Sequence, residues 1–223
     1  MEKMTDMEIA GLVKKVLEQL GGAEECKKSS DDGGVPIGVS NRHIHLSEEH
    51  VEVLFGKGYK LTPMKELSQP GQYACKETLT LVGPSMRSIE NVRVLGPLRK
   101  QSQVEISMTD SFVLKVKPPV RESGKTEGSA PVIIVGPKGI VSLKEGCIIA
   151  NRHIHMSPAD AAHFGVKDGD YIDVDAFEGT RKTRWFDVQI RVNDAFRLEM
   201  HVDTDDANAV GFKNGSKVTV AKN

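Results

Sequence analysis

The phrase Asn-Arg-His-Ile-His stands at positions 41–45 and again at 151–155, and the two copies hold four of the chain's seven histidines. Along an extended strand successive side chains alternate faces. Each His-x-His therefore turns both imidazoles to one side and its isoleucine, Ile44 or Ile154, to the other. Imidazoles paired in this way suit a borderline-soft divalent cation, with zinc first on ligand type. His43 with His45, and His153 with His155, read as two halves of a metal site.

A catalytic zinc takes three protein ligands and keeps one position open, so each pair needs a third group. In Leu198-Glu-Met-His-Val202 the apolar residues share one face and leave Glu199, His201 and Asp203 on the other, which makes His201 the partner of the second pair. Glu105 lies likewise between Val104 and Ile106, and the Ser-Met-Thr-Asp that follows resembles the Thr-Asp-Asp after His201, so it is the matching ligand of the first pair. On pattern alone Glu77 and Asp203 remain rival acids. His50 and His163, in expected helices, read as structural.

Among the cations, Arg99 follows the turn Gly96-Pro97-Leu98 just before Glu105, where a guanidinium can grip phosphate or offset developing anionic charge. Arg93 alternates with apolar neighbours and faces either a ligand groove or solvent; Arg42 and Arg152 flank the histidines on the opposite strand face. No GxSxG, Walker A loop or GxGxxG is present, and the cysteines have no CxxC spacing, so a covalent enzyme intermediate is not expected.

These side chains need short strands to hold them. Apolar runs separated by Gly-Pro, Asp-Gly and Asn-Gly turns extend from Val35 to Val220, including Val35–Val39, Val104–Met108, Phe112–Val116, Trp185–Val192 and Leu198–Val202. Short helices are expected at Ser47–Phe55, Met64–Leu67, Ser157–Phe164 and Asp205–Val210, and a surface loop at 118–131. Thr80-Leu-Val-Gly-Pro84 echoes Ile133-Ile-Val-Gly-Pro137, so the repeat extends beyond the histidines and predicts two similar β units meeting at the site.

Ahead of this β region, Ile9, Leu12, Val13, Val16, Leu17 and Leu20 form one apolar stripe, which predicts an amphipathic helix within residues 1–20. Residues 21–34, polar and glycine-rich, read as a flexible linker. The formal net charge of -1 gives no general attraction to nucleic acid or an anionic membrane. Three widely spaced cysteines, with no secretory signal or membrane-length apolar run, lead us to expect a soluble protein of a reducing interior.

Together, Gly38-Val-Ser-Asn-Arg-His-Ile-His-Leu46, Val92-Arg-Val-Leu-Gly-Pro-Leu-Arg99, Gln103-Val-Glu-Ile-Ser107, Ala150-Asn-Arg-His-Ile-His-Met156 and Glu199-Met-His-Val-Asp-Thr-Asp-Asp-Ala-Asn208 resemble the phosphate propanoyltransferases of bacterial microcompartments, the propanediol-utilisation type of phosphotransacylase. The resemblance implies a mainly β fold of two small β-barrels capped by short helices. Residues 35–42 with 151–223 would form the first barrel and 43–150 the second, whereas the pattern alone points to two consecutive halves. It implies two zinc ions, one on His43, His45 and Glu105, the other on His153, His155 and His201, with Arg99 on phosphate. Coenzyme A would contact Val39, Ser40, Asn41, Arg93 and Asn208; a further basic contact of the family falls at Met86-Arg87, with Arg87 the candidate substitute.

The implied reaction converts a short-chain acyl-CoA, propanoyl or acetyl, and phosphate reversibly to acyl phosphate and CoA. The helix within 1–20 resembles an encapsulation peptide, implying shell or cargo partners and a place inside a microcompartment of the bacterial cytoplasm. A homodimer or higher homo-oligomer is expected. A binuclear zinc hydrolase and a non-catalytic, zinc-stabilised binding module are the competing readings.

Overall fold

The computed structural model describes residues 33–221. The amphipathic helix, and the linker up to residue 32, lie outside the described residues. Gly34, read as the end of the linker, instead begins the first strand.

Two closed six-stranded barrels make up the described chain. In the first, β1 (Gly34–Ser40), β13 (Glu199–Asp203), β10 (His153–Met156), β12 (Thr183–Val192), β11 (Tyr171–Ala176) and β14 (Lys217–Val220) follow one another around the ring. In the second, the ring runs through β2 (His43–His45), β5 (Ser88–Gly96), β4 (Tyr73–Val82), β8 (Ala130–Val135), β9 (Ile140–Ala150) and β6 (Gln103–Glu105). Two accessory strands lie outside it, β3 (Pro63–Glu66) on β4 and β7 (Val120–Arg121) on β9. The chain thus lays one strand in the first barrel, builds the second, and returns to complete the first.

The same arrangement surrounds both His-x-His strands. β2 pairs in parallel with β5 and antiparallel with β6; β10 pairs in parallel with β12 and antiparallel with β13. Ile44 and Ile154 are both 0% exposed, each in the core of its own barrel, and so hold the histidines on the outer face. Burying such a side chain contributes about 1.5–3 kcal/mol, enough to make a one-residue slip of either strand costly.

Immediately after each phrase a serine ends the strand and caps a helix. Ser47 accepts from the His50 amide at the start of α1 (Glu48–Phe55). Ser157 forms a full capping box with Asp160 at α3 (Pro158–Phe164). The third-ligand strands end in the same way: Ser107 caps α2 (Met108–Leu114) and Asp203 caps α4 (Thr204–Val210).

Three local expectations are corrected. Phe112–Val116 is not a strand, because the Ser107–Asp110 capping box commits these residues to α2 despite their β-favouring side chains. The strand expected over Val104–Met108 stops at Glu105 for the same reason. Met64–Leu67 is not a helix: Pro63–Glu66 is an exposed edge strand bonded to β4. The loop at 118–131 also contains β7, whose pairing with β9 directs the following turn inward. No helix of the described residues is long and apolar enough to cross a membrane.

Candidate metal and anion site

The two histidine strands face one cleft of about 370 Å³ between the barrels. In the second barrel His43 opposes Glu105 across β2 and β6; in the first, His153 opposes His201 across β10 and β13. The potential ligand atoms of His43, His45 and Glu105 lie within 4.8 Å of one another, as do those of His153, His155 and His201.

Main-chain carbonyls set the tautomers. His43 Nδ1 lies 2.8 Å from the Asn41 carbonyl and His153 Nδ1 2.9 Å from the Asn151 carbonyl, the same residue in both phrases. A carbonyl can only accept, so Nδ1 carries the proton and Nε2 keeps its lone pair. His43 Nε2 lies 3.5 Å and His45 Nε2 3.8 Å from the Glu105 carboxylate oxygens. His153 Nε2 and His155 Nε2 stand 3.1 Å apart. Two nitrogens on one tetrahedral zinc, at bonds of about 2.0–2.1 Å, would be separated by about 3.3 Å. The donor types and this spacing fit a divalent cation at each set.

Burial pushes His45 down to about 2, helped by the neighbouring His43 and Arg99. It pushes His155 down to about 2 beside His153 and His201, and His153 down to about 4 beside His201. Three of the four repeat histidines are therefore neutral near pH 7, the form that ligates a metal. Burial opposes charge on His43 too, but the adjacent Glu105 carboxylate and the Asn41 carbonyl overcome it and raise the pKa. Burial likewise disfavours the Glu105 carboxylate, yet His43, His45 and Ser123 hold it well below the ordinary range.

Arg99 enters the same cleft. Its amide donates to the Leu46 carbonyl at 2.9 Å and its Nη1 to Ser123 Oγ at 3.0 Å. Ser123 Oγ in turn donates to Glu105 Oε1 at 2.6 Å, and Gln103 Nε2 donates to the same oxygen at 2.6 Å. Burial lowers the Arg99 pKa, but a guanidinium remains charged. Arg191 and Phe196, neither singled out from the sequence, also line the cleft, with the Arg191 guanidinium 6.0 Å from the centre of the Phe196 ring.

A second groove of about 460 Å³ adjoins the first and shares Ser40, Asn41, Arg42, His43 and His201 with it. Val39 and Arg93 line it as well, with Arg93 Nη1 donating to the carbonyls of Cys75 and Lys76. Asn208 is exposed on α4 and lines neither cavity, and Arg87 is likewise exposed and lines neither.

The other side chains weighed from the sequence have partners outside the two ligand sets, although Arg42 and Asp203 also line the cleft. Glu77 accepts from Tyr59 Oη and the Thr62 amide, and Asp203 serves as the cap of α4. Arg42 forms a 2.8 Å ion pair with Asp110, and Arg152 approaches Asp206 at 3.6 Å. His50 Nδ1 meets Ser102 Oγ at 2.7 Å.

Sequence reasoning missed Ser123, Gln103 and Arg191. Ser123 sits in a polar stretch that has the composition of a solvated loop. Gln103 carries a legible signal, since it lies two residues before Glu105 and therefore on the same strand face.

Comparison with known proteins gives the family. The family model for phosphate propanoyltransferase matches residues 36–213. A phosphate propanoyltransferase of Lachnoclostridium phytofermentans is 54% identical over 217 residues, covering 97% of this chain and 100% of that protein. Its namesake in Thermotoga maritima is 57% identical over 189 residues, covering 85% of this chain and 90% of that protein. Another in Rhodobacter capsulatus is 48% identical over 211 residues, covering 95% and 97% respectively. With a family match across both barrels and three such relatives aligned nearly end to end, this chain belongs to the phosphate propanoyltransferase family and is a transferase.

Proposed function

We propose that the protein transfers a short acyl group reversibly between coenzyme A and inorganic phosphate, at two zinc ions held by His43, His45 and Glu105 and by His153, His155 and His201. One observation carries this reading: both ligand sets and the Arg99 guanidinium face one cleft. Bound there, divalent ions supply Lewis acidity to phosphate and thioester oxygens and favour the deprotonated thiol.

The chain's own residues do the rest. Arg99, braced by Ser123 and the Leu46 carbonyl, holds phosphate and offsets the negative charge that grows as a phosphate oxygen attacks the thioester carbonyl carbon. The C–O bond forms, the C–S bond breaks, and CoA leaves as a thiolate that takes a proton from solvent. Val39, Ser40, Asn41 and Arg93 line the adjoining groove, which we assign to coenzyme A, with Asn208 as a further contact from the exposed face of α4.

Direct transfer is supported by the state of the two thiols among the described residues. Cys75 and Cys147 are both 0% exposed, with burial pushing them up to about 11 and about 12. Neither can be an acyl carrier at neutral pH. The helix expected within residues 1–20 is assigned to a microcompartment shell or cargo partner, on its apolar stripe and its resemblance to an encapsulation peptide.

The test is phosphate-dependent release of free thiol from acetyl-, propanoyl- and butanoyl-CoA, with acyl phosphate trapped by hydroxylamine. Equal thiol and acyl phosphate are expected. Thiol release without phosphate would favour the hydrolase, and no turnover by metal-replete protein the binding module.

A further inference from the structure

Glu199 projects from the same face of β13 as His201 while Met200 and Val202 are buried in the barrel core. Its Oε2 lies 2.6 Å from His201 Nε2. A carboxylate can only accept, so Nε2 carries the proton and the lone pair of His201 is on Nδ1. This is the reverse of His43 and His153, whose Nδ1 atoms are tied to main-chain carbonyls.

The strand order says which way each ring edge points. β13 lies between β1 and β10. On the β1 side Gly38 is the register partner of His201, and a Cβ there would lie 2.9 Å from His201 Cδ2 and 2.8 Å from Glu199 Cδ. The Cδ2–Nε2 edge thus faces Gly38 and Glu199. The opposite edge, with Nδ1, faces β10 and the His153–His155 pair.

The other barrel carries the counterpart. His45 opposes Gln103 across β2 and β6, and His155 opposes Glu199 across β10 and β13. Gln103 donates to Glu105, the third member of its set, at 2.6 Å. Each third ligand is therefore backed by the residue two before it, and the polarity is matched: an amide donor behind a carboxylate, a carboxylate behind an imidazole. The second barrel also anchors Glu199. Ser68 Oγ donates to Glu199 Oε2, while Gln69, 2% exposed, bonds both the carbonyl and the amide of Arg197 at 3.0 and 3.1 Å.

Resting on the metal reading above, we infer that Glu199 is a positioning residue that accepts the Nε2–H hydrogen bond of His201 and so presents the Nδ1 lone pair to the second metal, with Ser68 and Gln69 fixing the carboxylate from the other barrel. A partner of this kind raises ligand basicity and orients the ring, and its loss typically costs about 10–100-fold in metal affinity.

The experiment uses the full chain. In metal-free protein, ¹⁵N–¹H spectra of the imidazoles should show His201 protonated at Nε2 in the wild type and a mixture of tautomers in Glu199→Ala. Zinc titrated against a chelator should then bind one equivalent about 10–100-fold more weakly in Glu199→Ala, less so in the isosteric Glu199→Gln, and in the same direction in Ser68→Ala. The other equivalent should be unchanged. A His201 protonated at Nδ1 would overturn the inference. So would loss of a whole zinc equivalent in Glu199→Gln, as in His201→Ala, since Glu199 would then be a ligand itself. Wild-type protein that takes up no zinc would defeat the metal reading alone, because the tautomer measurement still decides the role of Glu199.

Discussion

Glu105 and His201 occupy the same place in two copies of one strand arrangement: each stands directly across an antiparallel pair from the first histidine of an Asn-Arg-His-Ile-His phrase. A carboxylate in one copy and an imidazole in the other give two sites of different charge facing one cleft. Such a pair can hold two ions with unequal affinity and unequal Lewis acidity.

Arg99 is poised on a serine that also touches Glu105. Arg99→Ala should lower kcat by about 100–1,000-fold, the usual cost of losing one charge-stabilising donor. Zinc content should stay at wild-type stoichiometry, because no proposed ligand is removed. Steady-state kinetics with metal analysis on the same preparation checks both.

Ile154 is fully buried behind His153 and His155. Ile154→Ala should destabilise the protein by about 2–5 kcal/mol through lost burial and the cavity left behind. Urea unfolding of the metal-free protein reads this directly. Added zinc should recover part of it, since a ligand that binds only the folded state adds stability.

Asp206 is raised from its ordinary 3.8 to about 6, mainly by burial and then by Asp203 and Asp205, with Arg152 opposing. The folded state holds this proton more tightly than the unfolded chain, so its contribution to stability falls as pH rises from 3.8 to about 6 and is level above that. Asp206→Asn should abolish this dependence and gain on the order of 1 kcal/mol at pH 7, a figure discounted for the partial exposure of the side chain. Thermal unfolding of both proteins between pH 4 and pH 8 makes the comparison.

Removing residues 1–20 should leave transferase activity intact and abolish recovery with isolated shells, if the apolar stripe is a docking element. Co-sedimentation of the truncated protein at the wild-type level would contradict that assignment.

The chemistry was more legible than the architecture. Period-two alternation around His43, His153, Glu105 and His201 is a local signal, because strand geometry alone decides which face each side chain takes. That β1 closes a barrel with strands more than a hundred residues later is a pairing choice, and no residue near Val35 records it. Phe112 and Val113 mislead because their β preference is overridden by the four-residue capping box Ser107–Asp110. Ser123 was unreadable for a different reason: its position depends on the pairing of β7 with β9, a contact made by two residues at each strand.

Anomalous diffraction at the zinc edge, on crystals of the full chain grown with zinc, tests the central claim most directly. The account predicts two peaks in the one cleft, one at bonding distance of about 2.0–2.2 Å from His43, His45 and Glu105 and the other at that distance from His153, His155 and His201. A single peak, or peaks away from these six side chains, would contradict it.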